Sequence, residues 1–205
     1  MATFVFLFAI NAQIFVLWRV PSAWKFLNRY FLLSAGHPRA FSVLGNTFSH
    51  QMPTHFASNM AILYLVGTQV HDLMDRGNFL AVYLSTGVCG SLGSLWYHVL
   101  MKNYVTATIG SSGALFGIIG CYLALKERHF LQIPFMSDRK FEYDGTTAMV
   151  VVLAGEIITF LLLGRATTID HWGHIAGIVS GYAMGRYLKS KAPMEEGEGN
   201  VEKLS

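Results

Sequence analysis

Apolar residues run through this chain in long blocks parted by short polar breaks, and six blocks approach the roughly 20 residues needed to cross a bilayer. They fall at about 2–18, 54–72, 78–100, 110–126, 145–163 and 170–189. Trp18-Arg19 and the turn at Pro21-Ser22 close the first, Gly77-Asn78 opens the third, and Lys126-Glu127-Arg128-His129 closes the fourth. Gly164-Arg165 ends the fifth, and Lys189-Ser190-Lys191 ends the sixth. The pattern predicts an all-α polytopic membrane bundle of six transmembrane helices over residues 1–190, followed by a polar, disordered tail over 191–205. The first block has no basic run before it and is interrupted by Asn11 and Gln13, so it reads as a retained helix rather than a cleaved signal peptide.

The connections are uneven. The stretch from Arg19 to Pro53 is the longest, and its Trp24, Leu27 and Phe31 recur at helical spacing, as in a segment lying in the membrane interface. With six spans, every even-numbered helix begins on the same face, which carries the loops at about 19–53, 101–109 and 164–169. Lys and Arg are fewer there than on the opposite face, which leans toward this face being the translocated one.

Polar side chains cluster at the starts of those even-numbered helices. His50 precedes helix 2, which carries His55 and Asn59 four apart on one face. Helix 4 begins with Gly110-Ser111-Ser112-Gly113, and helix 6 with Asp170, His171 and His174. Small residues then recur at four-residue spacing, Gly113 and Gly117 in helix 4 and Gly177, Gly181 and Gly185 in helix 6, forming ridges that let backbones approach closely. If the ridges face each other, His174 comes near Ser112. A serine hydroxyl needs a base within hydrogen-bond reach, and a neutral imidazole suits that role. The oxyanion that follows needs fixed donors, such as the side chains of His55 and Asn59 and the free N–H groups at the start of helix 4. The bland reading stands beside this one: Gly-Ser-Ser-Gly as a packing motif, the histidines as interfacial residues, Asn59 as interhelical glue.

Composition agrees with the pattern. The chain is 53% hydrophobic and 13% charged, against roughly 25% charged in soluble domains. Its net charge is +3, with basic residues scattered, so nothing suggests nucleic-acid binding. Cys89 and Cys121 both lie in apolar blocks and read as packing residues. The nucleophile-elbow pattern of α/β-hydrolases does not fit Gly110 to Ala114, and no His-Glu-x-x-His occurs. His55, His171 and His174 would make a metal site only without any matching motif, and no cofactor or metal is expected.

Taken together, Gly110-x-Ser112-Gly113, His55-x-x-x-Asn59, and His174 with Gly177 and Gly181 resemble the rhomboid intramembrane serine proteases, in order and over nearly the whole chain. Leu17 to Ser22, Thr47 to His50 and Phe79 to Gly87 look like the mitochondrial, presenilin-associated branch. The resemblance implies Ser112 as nucleophile, His174 as general base, and His55, Asn59 and the Ser112 N–H as the oxyanion site. It implies that Gly113 permits tight packing, that Ser111 is dispensable, and that His50 is a further histidine before the oxyanion pair. It also implies a mitochondrial inner-membrane location and single-span membrane proteins as substrates. The implied mechanism is a Ser-His dyad without a carboxylate: no acid is assigned to His174, and Asp170 reads as a helix cap.

Some positions depart from the family pattern. Phe116 stands where many members have a tyrosine stacked on the base, keeping the ring face and losing the hydroxyl. His71 stands where many have a glutamate, and the Trp-Arg pair usual shortly before helix 2 is represented only by the much earlier Trp18-Arg19. The extra N-terminal helix expected of the mitochondrial branch is not among the six blocks. Glu156, midway along helix 5, is expected to be a neutral side chain bonded to a neighbouring helix and has no assigned role. The reading is therefore an intramembrane serine endopeptidase. The alternatives are an inactive relative that binds membrane helices, or a small transporter with a histidine-lined path.

Overall fold

In the computed structural model the described residues are 2–126, 128–132, 140–164 and 168–191. The predicted tail falls outside them from residue 192 onward. They are predominantly helical: α1 (Ala2–Leu17), α2 (Trp24–Tyr30), α3 (Ala40–Gly45), α4 (Pro53–Leu65), α5 (Gly67–Leu73), α6 (Arg76–Leu100), α7 (Ser112–Leu125), α8 (Gly145–Leu163) and α9 (His171–Lys191). The all-α expectation needs one amendment, because two short antiparallel ribbons are present. β1 (Leu33–Ser34) pairs with β2 (Ala107–Thr108), and β3 (Arg128–Gln132) pairs with β4 (Lys140–Asp144).

Helix starts are set by residues legible in the sequence. Pro53 occupies the first turn of α4, where its missing N–H costs nothing. Asp75 caps α6 by accepting from the Asn78 N–H at 2.9 Å, and Asp144 caps α8 by accepting from Thr147 N–H at 2.9 Å. The Asn78 N–H on Asp75, and the Thr147 hydroxyl together with its N–H on Asp144, hold these exposed carboxyls below the usual carboxylate range.

The count of six spans is not reproduced by length and composition. Only α6 and α8, among the described residues, are long and apolar enough to cross a membrane; α1 adds a third if it is joined to the segment Pro21–Tyr30, which bends from it by 105°. The physical reasons differ. α7 has 14 residues, about 21 Å at 1.5 Å per residue and short of a roughly 30 Å hydrocarbon layer. The second predicted span divides at Val66, beside Gly67, a poor helix former packed on Leu63 and Phe79. α9 is long enough, but its histidines and terminal lysines lower its hydropathy.

α6, α7 and α9 form the centre. They meet where glycines remove the side chains that would hold them apart. A Cβ on Gly90 of α6 would lie 3.0 Å from Gly113 Cα and 3.0 Å from Gly173 O. A Cβ on Gly177 would lie 3.2 Å from Gly113 Cα, and one on Gly181 would strike the Gly117 carbonyl. Around this contact lies a buried cluster that includes Leu63, Phe79, Tyr83, Leu115 and Ile118. Outward positions on α1 and α8, such as Val5, Phe6, Val151 and Leu162, are exposed apolar side chains suited to lipid.

The long first loop is pinned to this core. Leu27 of α2 is fully buried against Ile14 and Trp18, while Trp24 and Phe26 remain exposed, in keeping with an interfacial segment. Trp18 Nε1 donates to Ser49 Oγ at 2.8 Å, and Arg19 Nη2 donates to the Gln51 carbonyl at 2.9 Å. The Trp18-Arg19 pair thus anchors the chain next to His50.

Candidate active site

The site begins at the turn into α7. Gly110 has φ +140°, a left-handed conformation that disfavours any side chain. A Cβ there would also fall 2.6 Å from His55 Cε1, so the imidazole of α4 lies directly on the turn. The Gly110 N–H donates to Asn46 O at 3.3 Å. Ser111 follows as the residue before the helix, with no solvent exposure. Its Oγ is 3.2 Å from His50 Nε2, and Asn59 Nδ2 is 2.8 Å from the same nitrogen.

His50 is therefore the hub of this side of the site. The Asn59 amide nitrogen has no lone pair to offer, so its N–H donates and His50 Nε2 accepts, placing the imidazole proton on Nδ1. Burial, reinforced by the nearby His55, pushes His50 down to about 3, so it stays neutral at physiological pH. Sequence reading gave His50 a place in the pattern without a bond. It lies in a loop, where no periodicity points to a partner.

Ser112 is the first residue of α7 and is half-buried. The N–H groups of a first helical turn have no acceptor within the helix, so they are available to a ligand oxygen. His174 projects from α9 with its ring stacked on Phe116, centroids 4.1 Å apart and planes 9° from parallel. Phe116 lies one turn beyond Ser112 on α7. His55 is within electrostatic reach of His174 and its ring is 5.2 Å from that of His50.

Among the described residues no hydrogen bond joins the Ser112 hydroxyl to His174, whose Nδ1 bonds elsewhere, to Glu156 Oε1 at 3.1 Å. Such bonds are often long in ligand-free sites. The structure thus brings together His174 with Phe116, Gly177 with Gly113, Gly181 with Gly117, His55 with Gly110, and Asn59 with His50.

Glu156 corrects the sequence reading. The family pattern implies no acid beside His174, yet the α8 carboxylate reaches it and also holds His171 Nδ1 at 2.6 Å. The contact joins residues on separate helices, 18 positions apart for His174, and no short motif encodes it. Asp170, the nearer acid in sequence, takes the capping role instead: its Oδ1 accepts from Gly173 N–H at 3.0 Å. Glu156, His171 and His174 also form the one His/Glu group among the described residues compact enough for a metal ion, with donor atoms within 4.8 Å of one another. His55, the third histidine of the metal alternative, is not in it. In the structure the carboxylate oxygens and the two Nδ1 atoms are already hydrogen-bonded to each other.

The chain is similar in sequence to several known proteins. The chain is 38% identical over 191 residues to "Rhomboid protein 1, mitochondrial" of Saccharomyces cerevisiae, an alignment covering 91% of this chain and 53% of that protein. It is 30% identical over 174 residues to the "Presenilin-associated rhomboid-like protein, mitochondrial" of Rattus norvegicus, covering 84% of this chain and 45% of that protein. "Rhomboid protease GluP" of Bacillus subtilis matches at 32% over 130 residues, 62% of this chain and 22% of that protein. The chain spans about half the length of the mitochondrial relatives it matches. Their names, with the membrane-length helices α6 and α8, indicate an integral mitochondrial membrane protein. A family model described as "Rhomboid domain" matches residues 37–191, from ahead of α3 to the last residue of α9, and so takes in every residue of the site. By that match and the fold that carries it, the chain belongs to the rhomboid family.

Proposed function

We propose that this chain is an intramembrane serine endopeptidase, with Ser112 as nucleophile, His174 as general base, and the oxyanion held by His55, Asn59 and the Ser112 N–H. The observation that carries the reading is the stacking of His174 on Phe116, one turn from Ser112, with glycine contacts clearing the space between their helices. In this reading His174 Nε2 takes the Ser112 proton as Oγ attacks a peptide carbonyl, and the proton later passes to the leaving amine. Orphan donors at the start of α7 supply charge stabilisation where the oxyanion forms.

Six membrane passes belong to this proposal, with α4–α5 together, α7 and α9 as spans sheltered by the rest of the bundle. The substrates are single-span membrane proteins. Intact helices tie up their carbonyls, so helix-breaking residues near the cut favour cleavage. α8 is the candidate gate, since none of its apolar residues is buried. The inner mitochondrial membrane is the proposed site of action.

The test is cleavage of a tagged single-span substrate by the purified protein in detergent, beside Ser112→Ala, His174→Ala and Ser111→Ala. Cleavage by the wild type and by Ser111→Ala, with the other two inert, is expected. Equal cleavage by all four refutes the assignment. Retention of substrate without cleavage by any of them favours a helix-binding relative instead.

A further inference from the structure

A carboxylate midway along an apolar helix is costly unless something holds it. Glu156 is held twice, and by the same kind of atom each time. Oε2 is 2.6 Å from His171 Nδ1, and Oε1 is 3.1 Å from His174 Nδ1. An ionised carboxylate only accepts, so each Nδ1 carries a proton and donates it. Both imidazoles and the carboxyl are nearly enclosed, with 3%, 12% and 14% of their side chains exposed.

From this geometry we propose that Glu156 is a positioning residue for His174, fixing the tautomer and orientation in which His174 acts as a base. The proposal rests on the serine-protease reading above and extends it from two residues to three. A neutral imidazole has one donor and one acceptor nitrogen. With Nδ1–H committed to Glu156, the lone pair is left on Nε2, on the far side of the ring from the carboxylate. The Phe116 stack fixes the plane of that ring, at 4.1 Å and 9°. Together the two contacts remove the choice of tautomer and the freedom to swing about the side chain.

The chemistry balances without a proton on Glu156. The Ser112 O–H bond breaks and an N–H bond forms at His174 Nε2. Oγ bonds to the substrate carbonyl carbon, whose π electrons move to its oxygen. The imidazolium so formed lies against a carboxylate that was negative from the start. His171 has the complementary task of holding the second carboxylate oxygen, and its own Nε2 is buried without a partner among the described residues. The other titratable groups nearby have separate places, Asp170 on the Gly173 N–H and His55 against Gly110.

The test uses the full chain in detergent with a tagged single-span substrate, comparing Glu156→Gln, Glu156→Asp and Ser112→Ala with the wild type. Gln keeps the shape and loses the charge, and its amide can present the wrong partner to Nδ1. The expected result for Glu156→Gln is a fall in kcat of about tenfold to a hundredfold with KM within about twofold, partly recovered in Glu156→Asp. A second readout is the imidazole ¹⁵N spectrum, with His174 identified by the signal missing from His174→Ala. The wild type is expected in the Nδ1–H form, and Glu156→Gln in a mixture.

If Glu156→Gln keeps full kcat while Ser112→Ala is inert, the positioning role is wrong and the protease reading stands. If kcat falls only together with the unfolding midpoint and the tautomer does not change, Glu156 is structural and the proposal is overturned. If Ser112→Ala still cleaves, the protease reading fails and this role falls with it. Loss of wild-type cleavage in chelator, restored by added zinc, makes the three residues a metal site and overturns the proposal.

Discussion

Adding one methyl group at Gly177 tests whether the glycine contact between α7 and α9 holds the site together. An alanine Cβ there would strike the Gly113 carbonyl oxygen and lie 3.0 Å from its carbon and 3.2 Å from its Cα. All three are backbone atoms, which cannot swing aside as a side-chain tip can. The oxygen is the limiting contact, and C···O approaches are comfortable only beyond about 3.3 Å, so α9 must back away from α7 by about 1 Å. His174 lies one turn earlier on α9, and Ser112 is next to Gly113, so the displacement falls on the proposed reacting pair. Overpacking costs about 1–3 kcal/mol, while Gly→Ala inside a helix returns about 1 kcal/mol, leaving a net loss of roughly 0–2 kcal/mol. Cleavage is far more sensitive, because a shift on the order of 1 Å costs about 100-fold. Gly155→Ala is the control: a Cβ there meets nothing within 4 Å. The assays are kcat with a tagged substrate, labelling of Ser112 by a fluorophosphonate, and thermal unfolding in one detergent. Gly177→Ala is expected to lose most activity at a nearly native midpoint, with Gly155→Ala like the wild type. Cleavage by Gly177→Ala within twofold of the wild type refutes the argument.

Two further outcomes follow from the same site. His50 is held down to about 3 in the folded protein, so below pH ~6.5 the unfolded chain takes up a proton that the folded chain refuses, and stability falls by up to about 1.4 kcal/mol per pH unit. The unfolding midpoint should drop with pH through the window from ~6.5 toward 3, less steeply in His50→Gln, and equal slopes would show that His50 is not the group responsible. Phe116→Leu removes the ring stacked on His174, worth about 0.5–1.5 kcal/mol, so kcat should fall roughly two- to tenfold and less in Phe116→Tyr; full activity in the leucine variant would mean the stack does not orient the base.

The parts of this fold that the sequence revealed share one property: they are encoded by residues near one another in the chain. The Gly-x-x-x-Gly spacing of α7 and α9 announces close backbone approach, and Gly113, Gly117, Gly177 and Gly181 do meet. Asp170 announces a cap, and it takes the Gly173 N–H. The span count was less legible, because hydropathy measures apolar length alone. It joined α4 to α5 across Val66 and extended the 14-residue α7 back over Gly110 and Ser111, which the chain uses for a turn. The ribbon of β1 with β2 was invisible for a different reason: Leu33 pairs with Thr108, so the signal lies in two segments widely separated in sequence.

Glu156 shows why membrane helices hide their partners. In a soluble helix the buried face is apolar and the outer face polar, so periodicity reveals which side faces the core. Lipid is as apolar as a protein interior, and that contrast disappears. Along α8, Met149, Val152, Leu153 and Phe160 are partly shielded while Val150, Val151, Leu161 and Leu162 are exposed, yet both sets are apolar. The shielded residues recur at three- and four-residue spacing, and Glu156 falls on their stripe. A lone acid in such a helix thus marks its inward face more clearly than any hydrophobic pattern does. It leaves unstated which neighbour it meets, because that depends on how α8 is rotated against α9. Phe160, one turn further on, packs its ring on Trp172, and Thr146 bonds to Tyr182 at 2.7 Å. Those two contacts fix the rotation, and with it the delivery of the carboxylate to His171 and His174.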